Sequence, residues 1–159
     1  MVSDSSFSVC IPTTKAPSNG RDQLLHSLLQ WLQRQGVRLL DVYMFVQPGE
    51  RRNYAKAGFA CNIVEGRPGL APQRNYIDEF FATRCGHGHH VISFDDDVLE
   101  LQRASPKMQL YDWGAHPCKT LPLPDNGFLQ LVQRARLECA RTGSHLWGVS
   151  TSTNIMCCT

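Results

Sequence analysis

The sequence predicts an α/β protein with a mostly parallel sheet flanked by helices. Two observations carry that expectation. Short runs rich in β-branched and aromatic residues alternate along the chain with three helical patterns, and polar clusters recur where three of those runs end. Strands separated by helices read as βαβ units, whose crossovers demand parallel pairing. At 159 residues the chain reads as a single domain, 1–159, large enough to bury a sizeable core.

The elements follow in order. "FSVCIP" (7–12) is rich in strand formers and breaks at Pro12, giving a first strand before the polar loop "TTKAPSNG". From Arg21 to Gln35, Leu24, Leu25, Leu28, Leu29 and Leu32 recur at helical spacing, and Gly36 ends the run. "VRLLDVYMFV" (37–46) is the second strand, stopped by "QPGE", and Cys61–Val64 is the third. "RPGLAPQRNYIDEFF" (67–81) opens with turn residues and becomes an amphipathic helix striped by Tyr76, Ile77, Phe80 and Phe81. "HHVISF" (89–94) is the fourth strand, residues 103–126 form an irregular, lid-like segment, "FLQLVQRARLECART" (128–142) is a helix ended by Gly143, and "HLWGVS" (145–150) is a last strand.

Composition excludes several classes. A hydrophobic fraction of 42% and a charged fraction of 19% are those of an ordinary globular protein. A net charge of +2 gives no bulk attraction to nucleic acid or membrane, and no run is long and apolar enough for a membrane span. The acidic, polar start "MVSDSSFSVCIP" does not read as a signal peptide. Seven cysteines, an odd number with no CxxC spacing, read as reduced thiols in a nuclear or cytoplasmic compartment. Cys10 and Cys61 lie in apolar runs and read as small core residues.

Ligands of open parallel sheets bind at the carboxyl ends of the strands. Three polar clusters fall there: "TTK" after the first strand, "EGRPG" after the third and "DDD" (Asp95, Asp96, Asp97) after the fourth. Clustered carboxylates at a strand end suit a hard divalent cation, which often binds through one or two carboxylates plus substrate phosphates. The plain alternative is an acidic turn or helix start stabilised by the helix dipole. Two chemistries use such an edge. A haloacid-dehalogenase-like phosphohydrolase carries Asp-x-Asp after an apolar strand, one Asp being the nucleophile, although that motif normally opens its domain. Glycosyl transfer from a nucleotide sugar places a metal on Asp-x-Asp to bridge the diphosphate leaving group.

"SVCIPTTKAPS", "GLAPQRNYIDEFF", "HVISFDDDVLEL" and "RTGSHLWGVSTSTN" occur here in the order and approximate spacing of the TET/JBP-associated glycosyltransferases. This chain resembles that GT-A-fold family, which includes the base J DNA glucosyltransferase, from about Ser8 to Asn154. The resemblance implies a Rossmann-like GT-A domain, a UDP-sugar donor with glucose as the first choice, and Mn2+ or Mg2+. It implies a hydroxymethylated DNA base as acceptor. Carried onto this sequence, it assigns Thr13, Thr14 and Lys15 to the nucleotide pocket and Arg74 to the diphosphate, with Asn75 fixing the local turn. Asp97 becomes the main direct metal ligand, with Asp95 and Asp96 shared between the metal and the ribose or sugar hydroxyls. A complete GT-A domain continues well past the "LWGV" strand and there supplies acceptor contacts and the catalytic base. The expectation is therefore a donor-binding half whose C-terminal part is missing, with no catalytic base to nominate. An inactive GT-A-like binding module is the further alternative.

Other constellations rank lower. "CGHGHH" offers Cys85, His87, His89 and His90 as zinc ligands, but they crowd one turn and read better as a surface loop. Trp113 reads as a lid aromatic or loop anchor, and Trp147 as core or acceptor-side. No P-loop, dinucleotide fingerprint or nucleophile elbow is present in the sequence.

Overall fold

The computed structural model describes residues 7–13, 21–86, 88–104 and 120–148. The chain divides into two compact units, Met1–Leu99 and Glu100–Thr159.

The first unit is a four-stranded parallel sheet with helices on both faces, compatible with a Rossmann-like fold. Its strands are β1 (Phe7–Pro12), β2 (Val42–Val46), β3 (Asn62–Glu65) and β4 (His90–Ser93), in the order β3-β2-β1-β4. Every pair is parallel, with Val9 opposite both Val42 and Ile92, and Met44 opposite Ile63. Central β1 is buried along its whole length, as a strand covered on both faces must be.

Alternation sorts the side chains. Val9, Ile11, Met44 and Ile92 lie on one face, Cys10, Phe45 and Val91 on the other. Helix α1 (Arg21–Arg34) covers the first face: Leu25, Leu28, Leu29, Trp31 and Leu32 are buried, and the Trp31 ring meets Phe94 edge-on at 6.1 Å. Burying each such leucine contributes about 1.5–3 kcal/mol. A short helix α2 (Arg51–Lys56) adds the buried Tyr54 beside Phe59, and His26 stacks on Phe59 at 4.4 Å. Helix α3 (Leu70–Cys85) covers the second face, where Ile77 and Phe81 join Cys10 and Phe45 in one cluster rimmed by Tyr43, Tyr76 and Phe80.

Departures from the sequence reading are local. The second strand begins at Val42, because Leu39–Asp41 form a 3-10 turn in which the Arg38 guanidinium donates to the Asp41 carboxylate at 2.7 Å. Helix α2 falls between the second and third strands, where the sequence pattern assigns no element. The first and third expected helices end within a residue of their patterns, while α3 runs on to Cys85.

In the second unit, β5 (Gln102–Ala104) pairs antiparallel with β6 (Thr120–Pro122), so the segment expected to be irregular carries two short strands. Helix α4 (Gly127–Thr142) buries Phe128, Val132 and Cys139. It ends at Gly143, whose positive φ of 70° turns the chain back so that Ser144 N–H also donates to the Cys139 carbonyl, at 3.0 Å. The expected last strand is absent over residues 145–148, where Leu146 is 88% exposed.

Cys10, Cys61, Cys85 and Cys139 are free thiols. Cys10 is buried, as expected, whereas Cys61 is half-buried. No helix among the described residues is long and apolar enough to cross a membrane.

Candidate functional site

The strand order places a topological switch between β1 and β4. Successive strands β1, β2 and β3 extend to one side, and β4 returns to the other side of β1. At such a switch the two adjoining loops diverge and leave a crevice at the carboxyl edge, where open α/β sheets bind ligands.

Backbone bonds carry the ladder slightly past the strands and set what reaches this edge. Phe94 N–H donates to Cys10 C=O at 2.9 Å, Thr13 N–H to Phe45 C=O at 2.8 Å, and Gly66 N–H to Val46 C=O at 2.9 Å. Thr13, Gln47, Gly66 and Asp95 therefore line up along one edge of the sheet.

The aspartates form a turn. Val98 N–H donates to Asp95 C=O at 3.2 Å, leaving Asp96 and Asp97 at the central positions. Asp95 and Asp97 are exposed and Asp96 is half-buried. Arg74, on the second turn of α3, reaches across to this turn and donates from Nη2 to Asp95 Oδ1 at 3.4 Å. Their side chains are 57% and 62% exposed, so the pair contributes at most about 1 kcal/mol to stability and is easily exchanged for other partners. Asn75, beside Arg74, is exposed.

Thr13 is differently employed. It is 1% exposed, and its hydroxyl shares a 2.8 Å hydrogen bond with the Tyr54 hydroxyl. That commits its side chain to the α2 side of the core. Its carbonyl accepts a long 3.4 Å bond from Gln47 Nε2. Thr14 and Lys15 lie outside the described residues.

Two glutamines that the sequence reading passed over organise the loop between β3 and α3. Gln47, just past β2, accepts from Gly69 N–H at 3.3 Å as well as donating to Thr13. Gln73, in the first turn of α3, accepts from Arg67 N–H at 2.7 Å. Glu65 closes the same region by accepting from Gly49 N–H at 2.8 Å. A chain of bonds thus runs from the end of β1 through Gln47 to the "EGRPG" loop, and from α3 through Arg74 to the end of β4. One signal for Gln73 was available in the sequence. It stands four residues before Ile77 and eight before Phe81, a polar residue on an apolar stripe.

Among the described residues, no three His, Cys, Asp or Glu side chains converge as a metal-holding set. The zinc candidates are dispersed: Cys85 is exposed, and His89 stacks on Phe81 at 5.9 Å and bonds Ser8 Oγ at 3.0 Å, at the amino end of the strands. His87 and Trp113 lie outside the described residues, and Trp147 is half-buried.

Two thiols are held neutral. Burial pushes Cys10 up to about 11, opposed in part by a hydrogen bond with Ser93, and burial pushes Cys61 up to about 11 as well. Neither is a nucleophile near neutral pH.

The class defined by these features is an α/β protein whose four-stranded parallel sheet, flanked by helices and compatible with a Rossmann-like fold, has a polar carboxyl edge at its switch point. No protein-family model matches the chain, and neither a curated protein nor a solved structure does.

Proposed function

We propose that this chain is a metal-dependent glycosyltransferase of GT-A type, or the donor-binding half of one, acting on a UDP-sugar. The observation that carries the reading is the meeting of Arg74 with the Asp95–Val98 turn beside the carboxyl end of β1. A guanidinium and a carboxylate turn at a switch point offer one partner for a diphosphate and another for its counter-cation. The resemblance of the sequence motifs supplies the sugar and uridine specificity, glucose as the first choice, and a hydroxymethylated DNA base as acceptor.

The donor set fits a hard cation that completes its shell elsewhere. Asp97 and Asp95 offer exposed carboxylates on one turn, and among the described residues no set of three His, Cys, Asp or Glu side chains converges there. Mn2+ or Mg2+ held there would take further oxygens from the donor and neutralise charge developing on its diphosphate. Arg74 would bind that diphosphate, leaving Asp95 to the cation. Asp96 would orient a ribose or sugar hydroxyl, while Thr14 and Lys15 contribute to the nucleotide pocket and the buried Thr13, its N–H, carbonyl and hydroxyl all engaged, anchors the chain that leads into them. The phosphohydrolase alternative is weaker, because the aspartates follow the fourth strand rather than opening the domain.

Calorimetric titration of UDP with and without Mn2+ tests the reading. Saturable, Mn2+-dependent binding is expected. Metal-independent binding, or none by a folded sample, would contradict it. Mg2+-dependent release of phosphate from an aryl phosphate, abolished at an Asp95 or Asp97 substitution, would favour the phosphohydrolase. A binding module indifferent to both UDP and metal would leave Asp97→Ala without consequence beyond local stability.

A further inference from the structure

Gln73 is 0% exposed and lies on the α3 stripe that also buries Ile77 and Phe81. An apolar side chain would continue that stripe at lower cost, since a buried amide must be desolvated and then hydrogen-bonded. Only half of this amide is satisfied. Oε1 accepts from Arg67 N–H at 2.7 Å, whereas Nε2 has no partner among the described residues. What the amide achieves is a tie between the first turn of α3 and the loop six residues earlier.

Gly66 shows how closely that tie is built. A Cβ at Gly66 would overlap the Gln73 amide oxygen and stand 2.9 Å from Nε2. The φ of Gly66 is outside the left-handed region, so the position uses the missing side chain and not the backbone freedom of glycine. Gln47 holds the other end of the loop through Gly69 N–H. Between these two anchors the chain enters α3, and Arg74 follows Gln73 directly, exposed and turned toward Asp95.

We infer that Gln73 is a positioning residue: its side-chain amide fixes the loop of residues 66–69 against α3, so that Arg74 is presented to the diphosphate of a nucleotide donor. The inference rests on the donor-binding reading above and adds to it the residue that orients the anion contact. Arg74 is long and exposed, and a guanidinium whose helix start is free to shift loses the fixed geometry that makes it a better anion ligand than a point charge.

The test uses the whole chain with Mn2+ and two probes, UDP and uridine. Gln73→Met keeps side-chain length and removes both amide atoms. UDP binding is expected to weaken about tenfold, uridine binding to hold, and Gln73→Met to add nothing once Arg74→Gln is present, as two residues acting through one contact should be non-additive. Equal loss for UDP and uridine would mean general loosening and overturn the inference, as would unchanged UDP affinity or full additivity. Should Gln73→Met not fold, Gly66→Ala gives the second reading, because its methyl group displaces the amide. The same selective loss of UDP binding is expected, and unchanged affinity overturns the inference. If the folded wild-type chain does not bind UDP, the donor reading falls and this inference with it. If the wild type binds and the variants bind equally, this inference alone falls.

Discussion

The two faces of the parallel sheet are sealed to different degrees. Under α1 the contact is aliphatic and closed: Val9, Ile11, Val42, Met44, Leu28 and Leu32 are each 0% exposed. Under α3 it is aromatic and open at the rim, with Phe45 and Phe81 buried but Tyr43, Tyr76 and Phe80 only partly so. Rings there meet edge-to-face, Phe45 with Phe80 at 5.2 Å and Tyr43 with Phe81 at 5.1 Å. Cations lie on the outer rings, Arg84 4.5 Å from the Phe80 centroid and Arg67 5.5 Å from that of Tyr76. The difference separates two tasks. The closed face is the more fully buried, and the open face carries the buried Gln73 and the exposed Arg74, whose side chain reaches the candidate site.

The largest effect should come from the closed face. Leu32→Ala removes a fully buried side chain from a dense aliphatic layer and should cost about 2–5 kcal/mol in urea unfolding. Phe80→Ala, from the half-open face, should cost about 1–2 kcal/mol despite its larger ring, since the ring is only partly buried. Equal costs would break the comparison.

Alkaline pH probes the open face through Cys10. Its thiol ionises near 9.0 when unfolded and near 11 when folded. Between those values the unfolded chain has lost the proton and the native state retains it. The contribution is thus fully present below pH 9 and lost as pH rises through 11. Stability should fall by on the order of 2 kcal/mol for this group between about pH 8 and about pH 11. Cys61 adds a fall in the same window, because its thiol is also raised to about 11. Cys10→Ala should flatten the slope, and an unchanged slope would show that the thiol is not buried.

Smaller effects fall at the carboxyl edge. Thr13→Val keeps shape and deletes the hydroxyl bonded to Tyr54, which should cost about 1 kcal/mol. Arg74→Gln breaks only an exposed pair and should change stability by less than about 1 kcal/mol. Its consequence should appear in UDP affinity, with uridine unaffected.

The strands and long helices were legible because each carries a sustained period: continuous apolar runs in β1 and β2, leucines at helical spacing in α1, and aromatics at that spacing in α3. Helix α2 was not. Its 6 residues, "RRNYAK", bury only Tyr54, too little for a period to register. The 3-residue strands β5 and β6 are equally silent. "HLWG" has strand-forming residues, yet residues 145–148 make no ladder, because β-propensity depends on a partner and a burying face. At the site, the charged residues could be picked out as types, and Arg74 and Asp95 do meet. Thr13 is an instructive case, since a hydroxyl after a strand reads as a ligand contact while its actual partner is Tyr54, 41 residues away. Gln47 carries no pattern of its own, and Gln73 shows in the sequence only as a polar break in the Ile77 and Phe81 stripe; the meaning of both lies in the backbone N–H groups they meet.

The central claim is that the Asp95–Asp97 turn holds a divalent cation together with a nucleotide diphosphate. Thermal unfolding with and without Mn2+ and UDP, on the wild type and Asp97→Asn, tests it most directly. A ligand bound only by the folded state must raise the melting temperature by mass action. Mn2+ with UDP should raise that of the wild type. Asp97→Asn should abolish the rise while leaving metal-free stability equal or slightly higher, because one of three adjacent like charges is gone. A variant that loses metal-free stability yet keeps the Mn2+-dependent rise in its folded fraction would show Asp97 to be structural, and would contradict the account.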